Sequence, residues 1–312
     1  MSVISQDTQE LIPGADELLP EPQPGGAHRR REWVDIIAGS LKFGRTRVGL
    51  VIVVAIVLLA LIGPFVAPHS PFATGIAPDY SGPSAKAWLG TDGIGHDVFS
   101  RVLCGGRTVI GLSIAATVVA MILGVALGLL AGYSRPAVDD VIMRLLDVLL
   151  AFPSIVFVLL LVALLGHSLW LIVLAVAVTH APRIARVARG ATLEIVGRDF
   201  VRASEALGVP RRTILMGEIL PNITSPLLVE FGLRLTYSIG LIAALSFLGF
   251  GMQPPAADWG LMINENRVAI VVQPWAVFVP VLLIALLTIG TNLTTDGISR
   301  AMIGIDRDTG AK

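Results

Sequence analysis

Cysteine and histidine are scarce in this sequence. The chain has one cysteine, Cys104, and five histidines among its 312 residues. One cysteine cannot close an internal disulfide or supply a cysteine-rich metal cluster, and no His-Glu-x-x-His motif occurs. We therefore expect no disulfide framework, no metal site and no cofactor.

Lysine is almost absent as well, which excludes a nucleotide-binding loop. A Walker A motif needs a lysine followed by serine or threonine. Lys42 and Lys86 precede Phe43 and Ala87, and Lys312 is the last residue of the sequence. If the protein takes part in ATP-driven work, another chain must bind the ATP.

Serine catalysis inside a membrane is also not supported. The nearest approaches to Gly-x-Ser-Gly are Gly111-Leu-Ser113 and Gly166-His-Ser168, and both lack the following glycine and a base partner. Serine in an apolar helix more often bonds a backbone carbonyl. We expect no enzymatic activity from this chain.

Charged residues make up only 15% of the chain, whereas 54% of residues are hydrophobic and the mean hydropathy is +0.78. A soluble domain carries about 25% charged residues. The net charge is zero, which gives no indication of nucleic acid as a partner. The composition predicts an all-α, multi-pass membrane protein.

Long charge-free segments locate the membrane spans, each of which needs about 20 apolar residues. One such segment, 148–182, would reach roughly 52 Å as a single helix, too long for one crossing. We divide it at the polar turn from Gly166 to Trp170. The prediction is a transmembrane domain, 48–296, of six helices at about 48–67, 109–132, 148–165, 169–181, 226–250 and 275–295.

Basic residues are distributed unevenly over the predicted loops. With both termini on one side, 18 of the 23 Lys and Arg residues lie on that side. Because cytoplasmic loops carry the excess of Lys and Arg, both termini are predicted to be cytoplasmic. Segments 68–108, 166–168 and 252–274 would then face outward.

The two ends of the chain differ from the domain between them. Residues 1–28 are acidic and rich in proline, which predicts a disordered cytoplasmic arm. In 29–47, apolar residues recur at helical spacing beside Arg and Lys, which predicts an amphipathic helix at the membrane interface. Residues 297–312 form the predicted cytoplasmic tail.

The loop 182–225 is far longer than a connection between two helices requires. Arg183, Arg186 and Arg189 continue the fourth span. Asp199 is predicted to cap a helix over Phe200–Leu207, which Gly208 ends in the left-handed conformation. Pro210 suits the start of a further helix and Pro221 its end. The loop is predicted to form a compact helical knob outside the membrane, cytoplasmic in the predicted orientation, with a solvated linker as the alternative.

At this point the residues resemble a known family. Arg202-Ala-Ser-Glu-Ala-Leu-Gly208, followed by Ile219-Leu-Pro-Asn222, is similar to the "EAA" motif of permease subunits of bacterial ABC importers. The spacing matches, but Arg202-Ala203-Ser204 replaces Glu-Ala-Ala. The resemblance implies that this segment couples the permease to its ATPase subunit through Arg202, Ala203, Ser204, Glu205, Ala206, Leu207, Gly208 and Pro221.

Two further segments resemble the C-type permease of the dipeptide and oligopeptide group. Leu89 to Arg107 is similar to that group's Gly-Thr-Asp-x-x-Gly-Arg-Asp-x-x-Ser-Arg pattern, with His96 in place of arginine. Ala244-Leu-Ser-Phe-Leu-Gly-Phe-Gly251 and Trp259-Gly-x-Met262 resemble its Leu-Ser-Phe-Leu-Gly and Trp-Gly-x-Met elements.

The resemblance implies how the work is divided among several chains. A second, homologous permease subunit would complete the translocation pathway as a heterodimer. Two ATPase subunits would dock at the cytoplasmic face, and an extracytoplasmic binding protein would deliver di- or oligopeptides. An importer of nickel or another small solute stays open, as do a self-sufficient secondary transporter or channel, and a receptor or scaffold.

One charged pair falls inside a predicted span. Glu230 and Arg234 are four residues apart, the spacing of an ion pair on one helix face. We interpret them as an interfacial pair that reaches the headgroups. A gate or cavity lining is the alternative, since charged groups inside a bundle mark transport paths.

Overall fold

The protein is described by a computed structural model over residues 39–309, with side chains given to residue 302. The predicted arm 1–28, most of the predicted interfacial helix 29–47 and the end of the tail lie outside the described residues. The described chain contains no β-strand, and its principal helices are α1 Gly44–Val66, α2 Val98–Tyr133, α3 Pro136–Leu150, α4 Ser154–Leu165, α5 Leu169–Val196, α6 Asp199–Ala206, α7 Thr224–Phe247, α8 Trp259–Asn266 and α9 Trp275–Thr309. The predicted all-α membrane fold is confirmed.

Five of these helices, α1, α2, α5, α7 and α9, are long and apolar enough to span a membrane. The sixth candidate is the pair α3 and α4, which meet at a bend of 85°. The predicted span 148–165 is therefore not one continuous helix. Pro153 lacks the N–H that a continuing helix needs and restricts Phe152 before it, so the helix breaks there.

Helix α5 continues beyond the predicted end of the membrane span at 181 and runs to Val196 without a break. Arg183, Arg186 and Arg189 lie on this extension, as expected. Helix α2 begins at Val98, eleven residues before the predicted span, because the Asp97 side chain accepts hydrogen bonds from the Phe99 and Ser100 N–H groups.

Three glycines of α2 allow close packing against α5. A Cβ atom at Gly124, Gly128 or Gly132 would lie 2.5–2.7 Å from atoms of α5, nearer than real Cβ contacts come. The tandem Gly-x3-Gly stripe therefore lets the two helices meet backbone to backbone. Helices α2 and α5 therefore pack closely against each other, and both lead to the knob at one end of the bundle.

At the opposite end, the loop before α2 and helix α8 form a polar network. Asp92 accepts hydrogen bonds from Arg101 at 2.5 Å and from the His96 backbone N–H at 2.9 Å, and Arg101 also pairs with Glu265 at 3.0 Å. Burial acts to raise the pKa of Asp92, but the hydrogen bonds from His96 and the charge of Arg101 hold that pKa below its ordinary value. Burial raises the pKa of Glu265 above its ordinary value. At the same end, the indole N–H of Trp259 donates a hydrogen bond to the Val102 carbonyl at 2.8 Å.

Candidate functional site

The knob, residues 197–223, connects the extension of α5 to α7. Its first half is α6, which ends at Ala206 with Leu207 as its C-cap. Gly208 has φ +73°, its N–H bonds the Glu205 carbonyl at 3.0 Å, and the Val209 N–H bonds the Ser204 carbonyl at 3.0 Å. These two bonds form a Schellman motif, which needs a residue at positive φ. The predicted role of Gly208 as the left-handed helix terminator is confirmed.

Two details of the predicted knob are wrong. Asp199 is not the N-cap: Arg198 takes that position, without a side-chain capping bond, and Asp199 lies in the first turn. There its charge still faces the positive end of the helix dipole. Pro221 does not end the second helical piece, because helical turns continue to Asn222 and the break falls at Ile223.

The second half of the knob contains a π-helix. Pro210 precedes the turn Arg211–Thr213, and Ile214–Ile219 follow with π-type hydrogen bonds. Pro221 has no N–H for the Gly217 carbonyl four residues earlier, and its ring would crowd that carbonyl in an α-helix. The wider turn relieves this conflict and keeps the chain helical as it returns toward α7.

Apolar side chains anchor the knob to the bundle. Val201, Ile214 and Ile219 are almost completely buried. They pack in one cluster with Leu129 of α2, Ala188 of α5, Ile223 and Leu227. The knob is therefore a continuation of the core and not a solvated linker.

Two of the predicted coupling residues, Ser204 and Glu205, form hydrogen bonds with other residues of this chain. Tyr133, at the end of α2, donates a hydrogen bond to Glu205 at 2.8 Å, and Ser204 donates to Glu218 of the π-helix at 2.6 Å. These bonds join the two halves of the knob to each other and to α2. Their role is to hold the shape of the knob.

The outside of the knob exposes apolar residues among charged ones. Arg202, Ala203 and Ala206 are exposed there, and Leu207 is 83% exposed. Phe200 and Met216 add exposed apolar area. The sequence-based site omitted both residues, although two large apolar side chains in an otherwise charged loop are a signal of a partner surface.

Helix α3 braces the α5 extension just before the knob. Arg189 makes two hydrogen bonds to the Asp139 carboxylate at 2.5 Å each, and Arg186 pairs with Asp147 at 2.5 Å. The two-pronged contact fixes the orientation of the guanidinium as well as its distance.

The charged pair within α7 is buried. Glu230 Oε1 lies 2.8 Å from Arg234 Nε, and both residues are less than 9% exposed. The interpretation that they reach the headgroups is therefore wrong. The Arg234 guanidinium also lies over the ring of Tyr237, 5.1 Å from its centroid, and Tyr237 itself is exposed on the surface of the described chain.

Comparison with known proteins places this arrangement among permeases. The family described as "Binding-protein-dependent transport system inner membrane component" matches residues 124–304, and "N-terminal TM domain of oligopeptide transport permease C" matches residues 46–83. The first match covers more than half of the chain and includes the knob.

Curated relatives match over most of their length. A dipeptide transport system permease protein of Alkalihalophilus pseudofirmus is 36% identical over 82% of this chain and 84% of its own length. A glutathione transport system permease protein of Pectobacterium atrosepticum is 41% identical over 71% and 73%, respectively. An oligopeptide transport system permease protein of Bacillus subtilis is 34% identical over 82% and 84%.

A solved structure supports the fold. A chain of the MetNI methionine ABC transporter in an inward-facing conformation superposes with a TM-score of 0.50 at 18% identity. The match covers 64% of this chain and 96% of that one.

Proposed function

This chain belongs to the family of inner-membrane components of binding-protein-dependent transport systems and is a permease subunit of an ABC importer; from that premise we propose that its knob couples it to an ATPase subunit. The same proposal pairs it with a second, homologous permease subunit and with an extracytoplasmic binding protein. ATP hydrolysis belongs to the ATPase subunits, and this chain provides gated access.

The exposed apolar face of a rigidly anchored knob carries the proposal. Leu207 is 83% exposed, while Val201, on the side of α6 that packs against the bundle, is fully buried. A partner that covers Leu207, Phe200 and Met216 would remove apolar area from water, which favours association. Because the knob joins α5 to α7 and bonds to α2, movement of the partner would tilt three spanning helices together.

Leu207→Asp tests this docking. We expect it to abolish co-purification of the ATPase subunit, because a carboxylate would be buried in an apolar contact. Leu193→Asp is the matched control, since Leu193 is 47% exposed on the α5 extension outside the knob. If Leu207→Asp retains the ATPase subunit as well as Leu193→Asp does, the knob is not part of the ATPase interface.

We propose peptides, from dipeptides to short oligopeptides and glutathione, as the transported solute. The relatives named for dipeptide, oligopeptide and glutathione transport support this class. Uptake of a labelled dipeptide into vesicles, with glutathione and nickel salts as competitors, tests it. Competition by nickel alone would favour the alternative of a metal importer.

The proposed orientation places both termini and the knob in the cytoplasm. In a chain with Cys104 replaced by serine, a membrane-impermeant maleimide added to intact cells should label Lys86→Cys and not Arg198→Cys. Both positions are exposed, so accessibility within the protein does not decide the result. Labelling at 198 from outside would reverse the orientation.

A further inference from the structure

One face of α3 is apolar and exposed, and the functions proposed above do not involve it. Val138, Val141, Leu145 and Val148 are 45%, 57%, 64% and 60% exposed. Their spacing of three, four and three residues puts them on one stripe of a helix with about 3.6 residues per turn. The stripe is exposed on the surface of the described chain from Val138 to Val148.

The remaining faces of α3 have different chemistry. Asp139 and Asp147 pair with Arg189 and Arg186 of α5, and of the two carboxylates only that of Asp139 is largely covered by the protein. Asp140 and Arg144 are exposed on a third side. A helix with an apolar stripe beside a charged side is typical of one that lies along a membrane surface.

The bend supports this placement. Helix α3 meets α4 at 85°, and α4 is apolar throughout, with exposed Val156, Leu160 and Leu164. If α4 enters the bilayer, α3 must run close to the membrane plane. With 15 residues, α3 is about 22 Å long. It lies at the knob end of the bundle, because it contacts the α5 extension that leads into the knob.

The continuity of the apolar surface favours lipid as the occupant. The stripe of α3 leads through Phe152, which is 52% exposed, onto the exposed side of α4. A protein subunit would have to cover both arms of an 85° corner with one surface. Lipid fills such a corner without a matching shape, because headgroups and acyl chains adapt to it.

We propose that α3 is an in-plane helix whose stripe, Val138, Val141, Leu145 and Val148, binds the bilayer at the boundary between headgroups and acyl chains. The ion pairs Asp139–Arg189 and Asp147–Arg186 then make the membrane surface the support of the α5 extension. The lipid contact is independent of the coupling proposed above, and only the supporting role rests on it.

Depth-dependent fluorescence quenching tests the lipid contact. Leu145→Cys and Asp140→Cys, each in a chain with Cys104 replaced by serine, are labelled with bimane in the purified assembly. The assembly is placed in phosphatidylcholine–phosphatidylglycerol nanodiscs that carry a nitroxide at acyl carbon 5 or 12. Val141→Cys provides a second position on the stripe if Leu145→Cys fails to assemble.

We expect the carbon-5 nitroxide to quench the label at 145 at least twofold more than the label at 140, and aqueous iodide to do the reverse. Stronger quenching at 145 by carbon 12 would overturn the in-plane placement in favour of a crossing helix. Protection of 145 from both lipid and iodide would overturn the lipid contact in favour of a covering subunit. Equal iodide quenching at 145 and 140 would leave the stripe in water and also overturn it.

The supporting role has its own measurement, the uptake achieved per ATP hydrolysed. Asp139→Asn with Asp147→Asn should lower this ratio at least fivefold and leave lipid quenching at 145 in place. Asp140→Asn, at an exposed neighbour that forms no ion pair with the part of the chain that the structure describes, should not lower it. An unchanged ratio in the double variant would refute the support. Absence of ATP-driven uptake with the unaltered chain would instead count against the proposed function.

Discussion

Tyr133, the last residue of α2, donates a hydrogen bond to Glu205 in the middle of the knob. The two residues are 72 positions apart in the chain, so this bond joins two parts of the protein that are not neighbours in sequence. It adds α2 to the two helices, α5 and α7, that the knob already connects through the backbone. If the knob moves as proposed, this bond is the contact through which α2 would move with α5 and α7.

Removal of this bond should weaken coupling without unfolding the protein. Tyr133→Phe deletes the donor and costs roughly 1 kcal/mol. We expect normal membrane insertion and a lower ratio of uptake to ATP hydrolysis in proteoliposomes. Glu205→Gln keeps an acceptor oxygen and should stay closer to the unaltered protein than Glu205→Ala. Full coupling in Tyr133→Phe would show that the link to α2 is not used.

Gly208→Val should disrupt the exit from α6. The residue has φ +73°, where a side chain costs roughly 1 kcal/mol or more and β-branching adds to the strain. Beyond the neighbouring backbone, no atom lies within 4 Å of a Cβ added at Gly208 or at Gly217. A difference between the two variants therefore cannot come from steric crowding. Gly217→Val, at negative φ in the same knob, is therefore the matched control.

We expect Gly208→Val to reach the membrane but to lose both co-purification of the ATPase and stimulated ATP hydrolysis. Gly217→Val should retain them. Native uptake in Gly208→Val would contradict the assignment of this segment to coupling.

The buried pair in α7 should behave as a unit. Glu230→Gln leaves Arg234 buried without its counter-charge, a loss of about 3–5 kcal/mol for pairs of this kind. The thermal midpoint of the purified protein should fall clearly. Combining it with Arg234→Gln should recover part of the loss, which a double-mutant cycle measures.

The control is an exposed pair with the same spacing, Glu194 and Arg198, whose atoms lie 3.3 Å apart. Exposed pairs contribute little, so Glu194→Gln should leave the midpoint nearly unchanged. If the two single variants lose equal stability, the burial of Glu230 and Arg234 has no energetic consequence.

The lowered pKa of Asp92, at the end of the bundle opposite the knob, predicts that the stability of the protein depends on pH. The pKa of Asp92 in the folded protein is lower than its ordinary value. Its stabilising contribution is therefore complete above the pKa of the unfolded chain, about 3.9, and is lost as the pH falls through the folded value. Asp92→Asn should lower the free energy of unfolding by roughly 2 kcal/mol at neutral pH.

The difference between Asp92→Asn and the unaltered protein should narrow as the pH is lowered below about 4. Thermal unfolding in detergent between pH 3 and pH 7 measures it. Asp79→Asn, at an exposed position of the same loop, is the control. A difference that stays constant down to pH 3 would place the effect in packing and not in charge.

The sequence by itself determined the membrane class, the positions of most spans, the knob and its terminator Gly208. These features depend on local properties: the length of apolar runs, and a glycine at the position where the backbone of the knob turns left-handed. A resemblance in three short motifs also gave the family, which the comparisons confirm.

Only the tertiary structure decided the 85° bend of the third span, the pairing of Tyr133 with Glu205 and the burial of Glu230 with Arg234. A charge pattern along one helix is the same whether that face meets headgroups or another helix, so the sequence could not separate the two environments. Likewise, Asp139 and Arg189 meet only because α3 turns back against α5. Contacts between residues far apart in the chain are set by packing, which no local pattern specifies.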